Sequence, residues 1–178
     1  MNRVKVIVMS DTHGDIYLAE SIIRKYCEEK ELVVIHCGDH ITDARELEKQ
    51  FEGITFYAVP GNCDGRAGGI ERDQVVEVGG VTLFITHGDR HGVKYDYEDL
   101  YIDAEAYGAT LVLFGHTHRA CIETREAIQI LNPGSLSQPR DSHFPSFGEI
   151  DIENEEVVSA KVFQIQGIDT FVLHPATL

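Results

Sequence analysis

Short apolar runs punctuate this chain at regular intervals: residues 4–9 (VKVIVM), 32–37 (LVVIHC), 54–59 (ITFYAV), 81–86 (VTLFIT) and 110–114 (TLVLF). Runs of this length, bounded by turn-forming and charged residues, predict strands, and near-continuous apolar ones suit sheets covered on both faces. Helical stretches near Ile16 to Lys30 and Thr42 to Phe51 separate the first three. Strands alternating with helices predict βαβ units and a parallel sheet. Gly79-Gly80 joins Gln74 to Val78 with Val81 to Thr86 and signals a hairpin. A third helix is predicted over Tyr95 to Tyr107, followed by a buried strand over Thr110 to Phe114, while Gly61 to Arg72 reads as an active-site loop. From Arg119 onward the chain turns to short strands: Cys121 to Thr124, Ala127 to Leu131, Ser146 to Ile152 and Val157 to Gln164. These are expected to form a second, mostly antiparallel sheet.

The five apolar runs share a second property. Each ends in a side chain able to ligate a metal: Asp11, Asp39, Asn62, His87 and His116. Two of these ends repeat a ligand type two positions on, as Asp11-Thr12-His13 and His116-Thr117-His118, and in extended backbone such positions point to the same side. In open α/β sheets ligands bind outside the carboxyl ends of the strands. Residues scattered over the chain are therefore expected to converge into a cage of carboxylate, imidazole and amide groups.

Composition narrows the setting. A chain of 178 residues, 43% hydrophobic, fits one globular domain over its whole length, 1–178. Its apolar stretches fall short of the roughly 20 residues of a membrane span. Val6 to Met9, between Lys5 and Ser10, is too short for a signal-peptide core, so a cytoplasmic location is expected. Cys27, Cys37, Cys63 and Cys121 form no CxxC pair, which suits a reducing compartment. The net charge of -15 opposes long nucleic acid, whose binding draws on Lys and Arg. A small phosphorylated substrate escapes that objection, because two divalent ions add about four positive charges at the site itself.

The ordered blocks Asp11-x-His13, Gly38-Asp39, Gly61-Asn62-Cys63-Asp64, His87-Gly88 and Gly115-His116-Thr117-His118 resemble those of the calcineurin-like metallophosphoesterases, most closely their compact single-domain, YfcE-like phosphodiesterase branch. The resemblance spans roughly Val4 to Ser135 and leaves the 165–178 tail outside. It implies an α/β fold, a four-layer α/β/β/α sandwich with two mixed sheets flanked by helices. It also implies two divalent transition-metal ions, with Asp11, His13 and His118 on one, Asn62, His87 and His116 on the other, and Asp39 between them. Mixed oxygen and imidazole ligands suit manganese first, then nickel, zinc, iron or cobalt, rather than calcium. Such ions, roughly 3.5 to 4 Å apart, would lower the pKa of a bridging water, and the resulting hydroxide would attack phosphorus in line with the leaving oxygen.

The chain departs from the wider superfamily at Cys63-Asp64, where many relatives carry a histidine that protonates the leaving group and an acidic residue that orients it. A thiol is protonated at neutral pH but donates weakly. Asn62, Cys63 and Asp64 thus form the candidate catalytic trio, with Asn62 ligating through its carbonyl oxygen while its amide donates to phosphate. Asp89 stands where close relatives often have histidine. Of the remaining candidates, His36 reads as a core or supporting histidine; His40, His91, His143 and His174 read as surface or packing residues; Cys27, Cys37 and Cys121 read as packing. Asn132 or Ser135 is a candidate substrate contact and Arg140 a candidate phosphate clamp. Phe171-Val172-Leu173 is expected to pack on the core, or else on another subunit of a homo-oligomer. The expected function is a dinuclear-metal phosphodiesterase acting on small or nucleotide-like diesters. The alternatives are a phosphomonoesterase or protein phosphatase on the same scaffold, and a non-enzymatic scaffold like the retromer subunit of this fold.

Overall fold

The computed structural model describes residues 3–65, 69–167 and 169–177. Two sheets stack face to face. The first has the order β11-β10-β9-β1-β2-β3 and the second β4-β5-β6-β8-β7, with β1 (Arg3–Met9), β2 (Leu32–His36), β3 (Thr55–Ala58), β4 (Asp73–Val78), β5 (Val81–Thr86), β6 (Leu111–Leu113), β7 (Ala120–Arg125), β8 (Ile128–Pro133), β9 (Ser146–Glu153), β10 (Glu156–Gly167) and β11 (Thr170–Leu173). Both are mixed: β1, β2 and β3 run parallel, as do β5, β6 and β8, and the other neighbours pair antiparallel.

The continuous apolar runs are explained by layering. Along β1, Val4, Val6 and Val8 face the second sheet, joining Leu83, Ile85, Leu113 and Leu131 in one core. Ile7 and Met9 face the other way, onto Ile22 and Ile23 of α1 (Tyr17–Tyr26) and Leu47 of α2 (Ile41–Gln50). The far face of the second sheet buries Phe84, Val112 and Ile130 under Leu100 and Ala104 of α3 (Glu98–Tyr107). The result is the expected four-layer α/β/β/α sandwich. Gly79 and Gly80 take φ of +56° and +82°, as a two-residue hairpin turn of this hand requires.

One expectation about the sheets is corrected. The four strands after Arg119 do not make a sheet of their own. β7 and β8 complete the second sheet, while β9 pairs antiparallel with β1 and extends the first. Period-two alternation marks a strand but leaves its partner open, and here a long-range register joins Val6 to Ile150. Two of the helices are also shorter than predicted, α1 ending at Tyr26 and α3 starting at Glu98. Within the tail, β11 pairs with β10, and Phe171 packs into the helix-side core, while Val172 and Leu173 are 38% and 41% exposed. Cys27, expected to pack, is exposed; Cys37 is buried. Of the predicted active-site loop, residues 66–68 lie outside the described residues.

Candidate metal centre

The carboxyl ends of β1, β2 and β3 from one sheet and of β5 and β6 from the other bring all seven candidate ligands to one end of the sandwich. Asp11, fully buried, has Oδ1 3.0 Å from His118 Nε2 and 3.9 Å from His13 Nε2. The two imidazole Nε2 atoms are 3.3 Å apart. Asp39 reaches into this group with Oδ2, 3.8 Å from His13 Nε2, and offers its other oxygen, Oδ1, to His87 Nε2 at 3.5 Å. Around His87 Nε2 stand Asn62 Oδ1 and His116 Nδ1, each at 3.2 Å. The two groups thus meet at the Asp39 carboxylate.

The donor atoms fit cations. One ligand atom from each of Asp11, His13, Asp39 and His118 lies within 4.8 Å of all the others. Asp11 Oδ1 is buried without a hydrogen-bond partner, although His118 Nε2 is only 3.0 Å away. An orphaned buried carboxylate oxygen is expensive unless an ion takes the place of the missing donor. The imidazoles are set for that role. His87 Nδ1 donates to the Cys37 carbonyl at 2.7 Å and His118 Nδ1 to the Gln138 carbonyl at 2.8 Å. A carbonyl acceptor assigns the proton to Nδ1 and leaves the Nε2 lone pair facing the centre.

Electrostatics agree at Asp11, His13 and His116, while His118 without a cation is shifted the other way by Asp11. Burial pushes Asp11 upward, but contacts with His118, the charge of His87 and the Ser10 hydroxyl, 2.5 Å from Oδ2, outweigh it and hold the carboxyl below its ordinary value. Burial lowers His13 and His116, aided at His116 by His87 and Lys94. At His118 burial is overcome by Asp11 and the Gln138 carbonyl, and the imidazole is raised. Anionic carboxylate and neutral imidazole are the forms that bind metal.

Local backbone builds this arrangement by an unexpected route. Asp11, His13, Asp39, His116 and His118 all have positive φ, between +47° and +67°. The argument from extended backbone therefore does not apply: His116 and His118 join different groups, and His13 meets Asp11 through a left-handed turn. Non-glycine residues in this region concentrate where surrounding structure imposes it, often at functional sites. Close approach accounts for two neighbouring glycines. A Cβ on Gly61 would collide with Asp39 Oδ1, and one on Gly115 with Ser10 Oγ.

The candidate catalytic trio divides. Asn62 and Cys63 are exposed above Asp39, and Asn62 Nδ2 lies 3.4 Å from Cys63 Sγ. The Cys63 thiol is pushed up to about 11, by partial desolvation first and then by Asp39. Asp64 instead accepts from Gly61 N at 2.7 Å and Ile41 N at 2.8 Å, so one oxygen closes the loop on itself and the other ties it to the start of α2. Asn132 and Ser135 are completely buried. Asn132 holds Gly115 and Thr117, and Ser135 donates to the Asp11 carbonyl, so they form the wall behind the ligands rather than a substrate surface.

His36, expected as a core or supporting histidine, joins a network whose other members, Thr12 and Asp43, the sequence did not reveal. His36 Nε2 donates to Thr12 Oγ1 at 3.0 Å, and Thr12 donates to Asp43 Oδ2, which also receives Gly14 N. Burial holds His36 down to about 4, hence neutral. The available signal was Asp43, an acidic residue on the buried face of α2.

Comparison with known proteins places this arrangement in context. The model of the calcineurin-like phosphoesterase superfamily domain matches residues 4–155, further along the chain than the motif blocks reach. The probable metallophosphoesterase YsnB of Bacillus subtilis (strain 168) is 34% identical over 153 residues, covering 85% of this chain and 86% of its own. Phosphodiesterase YfcE of Escherichia coli (strain K12) is 26% identical over 181 residues, covering 88% and 92%. Among solved structures, a predicted phosphoesterase from Streptococcus pneumoniae TIGR4 superposes with a TM-score of 0.78 at 26% identity, over 98% of this chain and 99% of that one.

Proposed function

The chain belongs to the calcineurin-like phosphoesterase superfamily of metal-dependent phosphoester hydrolases, and from that premise we propose that it is a dinuclear-metal phosphodiesterase acting on small diesters. The observation that carries the proposal is the Asp39 carboxylate, whose two oxygens face two different ligand groups, toward His13 at 3.8 Å and His87 at 3.5 Å. One carboxylate serving two imidazole clusters is the arrangement two neighbouring cations need. Asp11, His13 and His118 would hold one ion and Asn62, His87 and His116 the other. The donor set contains no thiolate, in keeping with manganese, iron, nickel, cobalt or zinc, with manganese first. When bound, the ions supply Lewis acidity to a phosphoryl group and lower the pKa of water.

The chain's own residues do the rest. The Cys63 backbone N–H, 2.9 Å from Asp39 Oδ1, fixes the carboxylate between the two groups. Asn62 turns its oxygen toward His87 Nε2, where a cation would hold both, and its amide nitrogen, beside Cys63 Sγ, keeps a hydrogen to donate to a substrate oxygen. Hydrolysis adds water across the ester bond: the hydroxyl goes to phosphorus and a proton to the leaving oxygen. Cys63 at about 11 is a poor source of that proton. A diester with a good leaving group needs little help there; a monoester of a poor one needs much.

The reading is tested by removing metal with chelator, restoring manganese, and assaying aryl diesters, matched monoesters and cyclic nucleotides. Manganese-dependent diester turnover exceeding that of the monoester is expected. Higher turnover of the monoester would make the protein a phosphomonoesterase, and a silent panel from fully loaded protein would favour a scaffold.

A further inference from the structure

Fifteen Lys and Arg face thirty Asp and Glu in this chain, so cations gathered in one place stand out. Three of them surround one groove. Lys94, Arg119 and Arg140, together with Val93, Tyr97 and Thr117, line a space of about 410 Å³, within the range of small-molecule sites. Among the described residues none of the three forms an ion pair, so their charges are left to a ligand.

The groove lies between the loops following β5, β6 and β8, directly beside the metal centre. Thr117 and Arg119 alternate in sequence with His116 and His118, and Arg140 N donates to the His118 carbonyl at 2.9 Å. The floor of the groove is of another character. Val93 is buried, and Tyr97 is half-buried with its ring edge-on to Phe114 at 5.3 Å. The site therefore sets a half-buried aromatic side chain among three cations, on the loops that also carry the ligands.

Resting on the phosphodiesterase reading, we propose that this groove binds a second phosphate of the substrate, so that the preferred class is a diester of a phosphorylated nucleoside rather than one whose only charge is the scissile phosphate. Guanidinium and ammonium donors converging on one dianion form charge-assisted hydrogen bonds. A planar or apolar body lies on Tyr97 and Val93. Among the described residues, Arg72 and Arg90 are already paired with Asp89 and Asp73.

The test compares thymidine 5′-(p-nitrophenyl phosphate) with the same ester carrying a 3′-phosphate, using manganese-loaded protein. The scissile bond is identical. Wild type should favour the 3′-phosphorylated ester by about tenfold in kcat/KM, as expected of a few exposed ion contacts. The preference should shrink at high salt and fall to about one in the Lys94→Gln/Arg119→Gln/Arg140→Gln variant. No preference in wild type, or an undiminished one in the variant, overturns the proposal. If neither ester is hydrolysed, the phosphodiesterase reading has failed, and calorimetric titration of thymidine 3′,5′-bisphosphate decides the groove separately. Binding weakened about tenfold in the variant sustains it; equal or absent binding refutes it. Should the triple variant not fold, Lys94→Gln and Arg119→Gln singly, each expected to reduce the preference about two- to threefold, decide in its place.

Discussion

His87 Nδ1 donates to the carbonyl of Cys37 at 2.7 Å, a bond from the end of the second sheet to the end of the first. It joins the layers where the ligand groups meet, and it selects the imidazole nitrogen that faces Asp39 and Asn62. The same bond depends on Gly38, next in the chain, which has φ of +100° and lies so close that a Cβ there would stand 2.5 Å from His87 Nδ1.

Gly38→Ala should therefore displace His87 while leaving every ligand in the sequence. The left-handed backbone itself costs an alanine roughly 1 to 3 kcal/mol. Metal affinity of the group containing His87 should fall by about 10- to 100-fold, the usual effect of losing an outer partner of a ligand histidine. Manganese titration with thermal melting checks both. Unchanged affinity at the His87 group would show that the interlayer bond does not orient the ligand.

Asp39→Asn isolates the carboxylate between the groups. An amide keeps the size and one acceptor oxygen but loses the charge that neutralises two cations. Turnover should drop by more than about 100-fold, beyond the loss typical of outer partners, with the circular dichroism spectrum intact and less than the full complement of metal retained. Near wild-type kcat in a fully loaded variant would remove Asp39 from the role proposed for it.

These ligands were legible in the sequence because each run before them is a parallel strand, and strands covered on both faces, as β1, β2, β5 and β6 are, read as unbroken apolar runs. The runs before Asp11, Asp39, Asn62, His87 and His116 correspond to β1, β2, β3, β5 and β6. Partner choice for β9 was not legible, because Ser146 to Glu153 would alternate the same way in either sheet. Nor was the left-handed backbone of His13 and His118, which is imposed by tertiary contacts such as Asp11 N to the Gly38 carbonyl at 2.9 Å and Arg140 N to that of His118. The role of Asp64 was hidden for a related reason: its partner Ile41 is 23 residues away.

Asp64→Ala should affect stability more than chemistry. Its carboxylate receives the Ile41 N–H at the start of α2 and the Gly61 N–H. Loss of such a cap costs about 1 kcal/mol, or roughly 2 to 4 °C in melting temperature at this chain length. The dependence of rate on leaving group should stay as in wild type. A changed dependence would instead make Asp64 a partner of Cys63 in proton transfer.

Acid stability should depend on Asp151. Burial raises its carboxyl, but Lys5 at 2.7 Å and Arg3 at 2.9 Å overcome this and hold it below its ordinary 3.8. A group whose pKa is depressed by folding adds stability above the unfolded value, and that stability is lost as pH falls through the folded value. Urea unfolding of wild type and Asp151→Asn from about pH 5 down to pH 2 should thus show a gap that closes with acidification. A gap constant over that range would mean that the charge of Asp151 is not what stabilises the β1–β9 pair.

The last prediction concerns the missing proton donor. Cys63, exposed beside Asn62 and pushed up to about 11, remains a thiol at neutral pH and gives its proton weakly. The leaving oxygen must then depart largely on its own stability, so rates for a series of aryl and alkyl diesters should fall steeply as leaving-group pKa rises. Histidine at this position would supply a donor with a pKa near neutrality. Cys63→His should flatten the series by accelerating the poor leaving groups while changing the good ones little, and Cys63→Ser, which adds no acid, should keep the wild-type slope. Both variants are compared with wild type at saturating manganese and one pH. A flat series in wild type, or an unchanged slope in Cys63→His with full metal occupancy, would show that protonation of the leaving group is supplied from elsewhere.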